Sequence, residues 1–159
     1  NNSKLLRHSI NCYNIATSIN LNSMISSGCL FHNIYGTSSI GSHNFISTRT
    51  KDRHYVSSII GIHVEKLVYI FSRLSNDINI SKNNLNPIII NSVYAIYLVN
   101  LIDILITNSK SSYINFSKIK EHLPHIYIAK RSLADNSHFN ELLALSSMLL
   151  SPYSSLFDK

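Results

Sequence analysis

No acidic residue occurs before Asp52. Across the first 51 positions the only permanent charges are Lys4, Arg7, Arg49 and Lys51. A secretory signal fits this stretch poorly, because no apolar core of about 7–15 residues follows a basic start. An acid-free, Ser-rich start with scattered basic residues instead has the composition of an organellar import segment. Residues 1–51 are therefore read as an acid-poor leader or an extended arm, ahead of a helical domain over residues 52–159.

Charge of either sign is scarce. Charged residues make up 14% of the 159 positions, against roughly 25% in an average soluble protein. Asn and Ser build the polar surface instead, which gives little repulsion between copies and favours burial in a larger assembly. The net charge of +6 divides into +4 over residues 1–51 and +2 over the remainder. A pI near 9.4 ordinarily points to nucleic acid or an anionic membrane, but here the helical part is nearly neutral.

Cysteine is limited to Cys12 and Cys29. Two cysteines cannot make a disulfide framework, which excludes a small secreted scaffold. Carboxylates are equally thin, with eight spread over residues 52–159. None form a close pair suited to acid–base work. Gly36-Thr-Ser-Ser-Ile-Gly41-Ser42 has phosphate-loop spacing but lacks the Lys that such a loop requires.

What is present is hydrophobic periodicity. Val56, Ile60, Val64, Leu67, Ile70, Phe71 and Leu74 recur at three- and four-residue steps, the spacing of one helical face. Pro87 opens the most apolar run, residues 88–106, and Pro suits a first helical turn because its missing N–H would be unpaired there. That run approaches the roughly 20 residues needed to span a bilayer. Asn91, Ser92, Asn100 and Asp103 interrupt it, and Asn100, Asp103 and Thr107 align at helical steps as a narrow polar stripe. A buried core helix is the better reading.

Residues 113–134 read as a shorter helix kinked or broken at Pro124. Asp135-Asn136 or Ser137 caps a last helix in which Phe139, Leu142, Leu143, Leu145, Met148, Leu149 and Leu150 are apolar nearly all round. The fold class expected is mainly α: a bundle or helical-hairpin array of about four helices behind an irregular N-terminal extension. A faint echo of Leu67, Ile70 and Phe71 in Leu101, Ile104 and Leu105 has the offset of a helical-hairpin repeat. Any two amphipathic helices share such a pattern.

Three residue sets merit a chemical reading. Glu121, His122 and His125 place two imidazoles and a carboxylate within one helical turn, as metal sites do, but Pro124 disturbs that turn. Cys29 and His32 have C-x-x-H spacing, with Cys12 and His43 as distant companions. A zinc finger needs two tight pairs, so a zinc site is not expected from this pattern. Lys118, Lys120, Lys130 and Arg131, interleaved with Tyr113, His125 and Tyr127, have the types that contact phosphates and stack on bases.

These readings favour a non-catalytic helical component of a mitochondrial-type ribonucleoprotein or ribosome-like assembly. Lys118, Lys120, Lys130 and Arg131 would contact nucleic acid, and Leu143, Met148 and Leu149 a protein partner. No cofactor and no metal are implied. The alternatives are an accessory subunit of an organellar membrane complex anchored by residues 88–106, or a helical adaptor. The resemblance to organellar helical-repeat RNA-binding proteins and ribosomal accessory subunits is one of architecture alone.

Overall fold

The computed structural model describes residues 2–36, 46–74, 85–109 and 116–156. They form seven helices: α1 (Asn2–Ser18), α2 (Ser23–Phe31), α3 (Thr50–Ile60), α4 (Ile62–Leu74), α5 (Pro87–Ser109), α6 (Phe116–Leu133) and α7 (Asn140–Leu150). Short 3-10 turns, Ser137–Phe139 and Ser151–Leu156, flank α7. Among the described residues there is no strand. The mainly helical class is as the periodicity predicts.

The N-terminal region differs from the expected irregular arm. Residues 2–31 contribute α1 and α2, and Cys12, Ala16, Leu21, Ile25 and Cys29 lie in the same core as α4 to α7. Two local devices shape this hairpin. Asn20 takes a left-handed backbone (φ 55°), a conformation that Asn tolerates better than most residues, while Leu21 N–H returns to the Ala16 carbonyl. Asn22 then caps α2, its side chain accepting from Ile25 N–H at 3.0 Å. Exposed apolar side chains on α1, Leu6, Ile10 and Tyr13, blur its period, and α2 is short and apolar through most of its length.

α5 is the axis of the bundle, packed by α1, α2, α4, α6 and α7. Every residue from Ser92 to Val99 is buried. Complete burial of Ile96, Leu98 and Ile102 is worth about 1.5–3 kcal/mol each. Within Pro87–Thr107 the mean hydropathy reaches 1.9 over an 18-residue window, and 67% of that window is buried inside the bundle. Its apolarity therefore serves the protein core.

Gly28 lets α2 approach α5, since a Cβ there would stand 2.5 Å from Ile96 Cδ1. α6 runs unbroken through Pro124. The buried Ile126, Ala129 and Leu133 hold it in place and offset the backbone bond that Pro124 removes. Asn136 caps the Ser137–Phe139 turn, accepting from His138 N–H at 3.1 Å.

A smaller apolar cluster of Tyr35, Val56 and Val68 ties the end of α2 to α3 and α4. Beside it Glu65 is buried and fully satisfied. Arg53 grips it through Nε (2.7 Å) and Nη2 (2.9 Å), and the Tyr35 hydroxyl donates to it at 2.7 Å. The Arg53 guanidinium also lies 3.5 Å from the centre of the Tyr69 ring.

Candidate metal centre

Three helices bring His8, Cys12, His32, Asn100 and Asp103 together. His8 and Cys12 are one turn apart on α1, so both point at the same neighbour. His32 directly follows α2. Asn100 and Asp103 are one turn apart on α5. The polar stripe on α5 is thus the wall of a site rather than an interruption of an apolar helix.

Each ring has a fixed orientation. The Nδ1 of His32 lies 2.7 Å from the Cys29 carbonyl and donates to it. Its Nε2 is left as an acceptor, and it receives the Asn33 amide at 2.8 Å. The Nδ1 of His8 donates to Asp103 Oδ2 at 2.5 Å. Its Nε2 faces Asn100 Oδ1 at 2.8 Å and His32 Nε2 at 3.2 Å.

Three acceptors thereby converge: His8 Nε2, His32 Nε2 and Asn100 Oδ1. A proton on His8 Nε2, donated to Asn100 Oδ1, satisfies this set as it stands. Because the one lone pair of His32 Nε2 already accepts from Asn33, a metal cation shared by the two rings would have to displace that amide. The sulfur of Cys12 completes the constellation, 3.9 Å from the His8 ring nitrogens. One ligand atom from each of His8, Cys12 and His32 falls within 4.8 Å of the others. Two nitrogens bound to one tetrahedral zinc at about 2.0–2.1 Å sit about 3.3 Å apart, close to the 3.2 Å observed.

The outer contacts match those of metal-binding histidines, which donate the second ring N–H to a carboxylate or a backbone carbonyl. Asp103 plays this part for His8, and the Cys29 carbonyl for His32. Burial lowers the pKa of His32 to about 4, so the ring is neutral near pH 7, the form that binds metal. Burial, with the nearby Cys29 and Asp103, pushes the Cys12 thiol far up. A cation would have to displace its proton.

Cys12 and His32 are fully buried, and only the His8–Asp103 side of the constellation borders a cleft. His8 is half-buried and lines a cleft of about 540 Å³ between α1 and α5. Lys4, Arg7, Asn11, Ile104 and Thr107 also line it. Lys4 and Arg7 are exposed and give the mouth two positive charges.

The sequence pairing of Cys29 with His32 is only half realised. Cys29 supplies its carbonyl, while Cys12 supplies the thiol and His8 the second imidazole. His43 lies outside the described residues. Sequence reasoning missed His8, although its four-residue spacing to Cys12 was a usable signal.

Among the described residues His122 and His125 gather no such set, and the side chain of Glu121 lies outside them. Tyr97 hydroxyl and His122 Nδ1 are 2.8 Å apart, and the His125 ring packs on Tyr97 with centroids 5.5 Å apart. Of the residues expected to contact nucleic acid, Arg131 is exposed. Lys130 donates to Ser147 at 2.7 Å. The side chains of Lys118 and Lys120, and all of Tyr113, lie outside the described residues. Of the expected partner contacts, Met148 is 63% exposed, while Leu143 and Leu149 pack partly against the core.

Residues 1–75 match the family model of a domain of unknown function (DUF6817). The match covers just under half of the chain and includes His8, Cys12, His32 and Asn33, whereas Asn100 and Asp103 lie beyond it. No curated protein matches the chain, and no solved structure matches it.

Proposed function

We propose that this chain is a metal-dependent hydrolase. Its centre is a divalent ion, best suited to zinc, held by His8 Nε2, His32 Nε2 and Cys12 Sγ. The observation that carries the reading is the convergence of the two Nε2 atoms at 3.2 Å, each ring already oriented from behind. A thiolate with two imidazoles selects zinc over magnesium or calcium, which take oxygen ligands. Three protein ligands keep a fourth position for water or substrate, and zinc there supplies a Lewis acid and lowers the pKa of water to about 7.

The remaining roles fall to the chain itself. Asp103 holds the Nδ1 proton of His8 and fixes the ring. The Cys29 carbonyl does the same for His32. Lys4 and Arg7 attract an anionic substrate to the cleft, and Asn11 and Thr107 offer it neutral hydrogen bonds.

The test uses the zinc-loaded chain with simple aryl phosphate and carboxylate esters. Turnover that tracks zinc content and disappears in Cys12→Ser supports the reading. Arg7→Gln should raise KM more than it lowers kcat. A fully zinc-loaded chain that hydrolyses no ester of either class would leave a metal site but remove the enzyme.

A second reading keeps the chain as a non-catalytic component of an organellar ribonucleoprotein. Its support is on α6, where Tyr127 is 63% exposed beside Lys130 and Arg131 along a shallow cleft. An exposed ring flanked by two cations suits base stacking and phosphate contact. Salt-sensitive RNA binding lost in a Tyr127→Ala, Arg131→Gln variant would favour it, and RNA binding unchanged in that variant would remove it.

A further inference from the structure

Within the residues of the family match, α3 and α4 meet at a corner. Gly61 forms it with a left-handed backbone (φ 87°), its N–H closing α3 on the Ser57 carbonyl at 3.0 Å. A Cβ built on Gly61 would meet nothing within 4 Å, so the corner projects. Tyr55, Ile59 and Ile62 stand on it with 63%, 64% and 68% exposure. Tyr55 and Ile59 are one helical turn apart, and Ile62 lies just across the corner.

Cations bracket this apolar tip. Lys51 lies one turn before Tyr55 and Lys66 one turn after Ile62, and both are exposed. Of the two carboxylates of the stretch, Glu65 is buried and neutralised by Arg53, which leaves half-buried Asp52 as the single acid against the exposed Lys51 and Lys66. Large apolar side chains at a projecting vertex, with lysines set back on each side, fit a soft surface that is apolar within and negative outside. Bilayer interfaces have that profile, and they take up Ile and Tyr while Lys reaches for the headgroups.

We propose that the α3–α4 corner docks this protein on an anionic phospholipid surface. Ile59 and Ile62 enter the acyl boundary, Tyr55 sits at headgroup level, and Lys51 and Lys66 contact lipid phosphates. The proposal is independent of the metal centre.

The experiment is sedimentation of the full chain with vesicles of phosphatidylcholine alone and of phosphatidylcholine with phosphatidylserine. Binding to the mixed vesicles, weakened by salt, is expected. An Ile59→Ser, Ile62→Ser variant with an unchanged thermal midpoint should bind at least tenfold more weakly, as should Lys51→Gln, Lys66→Gln. Met148→Ser, which alters an exposed side chain elsewhere, should bind as the wild type does. Three results would overturn the proposal: no binding to mixed vesicles, equal binding by the Ile59, Ile62 variant, or a lipid-free wild-type dimer that this variant disperses.

Discussion

The Nε2 atoms of His8 and His32 face each other across 3.2 Å, and each ring is pinned from behind, His8 by Asp103 and His32 by the Cys29 carbonyl. Such pinning fixes where both lone pairs point. A carboxylate on an ordinary surface histidine does not require a second imidazole at this distance. A proton on His8 Nε2 shared with Asn100 accounts for part of the pairing. A cation held between the rings would account for all of it, and Cys12 would give that cation a soft third ligand.

The outer contact of His8 should therefore matter to metal affinity without being a ligand. Asp103→Asn keeps the shape and removes the charge that holds the His8 Nδ1 proton. Zinc affinity is expected to fall about 10–100-fold, while the helical content by circular dichroism stays the same. Competition with a chelator of known affinity gives the measurement.

The Arg53–Glu65 pair should dominate the response to acid. Burial alone would raise the Glu65 pKa, but the Arg53 and Tyr35 hydrogen bonds outweigh it and the folded value is lowered. Stability from Glu65 is thus fully present above its ordinary value near 4.5 and lost as pH falls through the lower folded value. Arg53→Met strands a buried carboxylate and should cost about 3 kcal/mol at pH 7. Its penalty should shrink as the solution is acidified, because protonation of Glu65 then relieves the variant. Urea unfolding at pH 7 and pH 4 compares the two proteins.

The approach of α2 to α5 gives a third expectation. Gly28→Ala places a methyl 2.5 Å from Ile96 Cδ1, inside a region where Ile96 is fully buried. Overpacking of this kind costs about 1–3 kcal/mol. Ile96→Val deletes the clashing carbon, so the double variant should be more stable than the sum of the single effects requires. A double-mutant cycle of thermal midpoints reads the difference.

Much of the helical domain was legible in the sequence. The Val56-to-Leu74 stripe, the Pro87 start and the polar stripe of Asn100 and Asp103 all have physical counterparts in α3, α4 and α5. The N-terminal helices were not legible, because Leu6, Ile10 and Tyr13 stand on the outer face of α1 and α2 has only nine residues, so neither shows a clean apolar stripe. The site was half legible. Cys12 and His32 drew attention as possible ligands, but His8 sits in a weakly patterned segment, and its partner Asp103 is 95 residues away. No local spacing rule reaches that far. Only packing α1 and α2 against α5 brings the set together.

The most direct test is cobalt substitution of the purified chain, with the bound metal counted. One equivalent of cobalt should bind, and its spectrum should show tetrahedral d–d bands together with a thiolate-to-cobalt charge-transfer band. Cys12→Ser should remove the charge-transfer band, and His8→Ala or His32→Ala should lower occupancy well below one equivalent while Cys29→Ser leaves the spectrum unchanged. A chain that binds no stoichiometric cobalt or zinc, or one whose spectrum depends on Cys29 and not on Cys12, contradicts the metal centre described here.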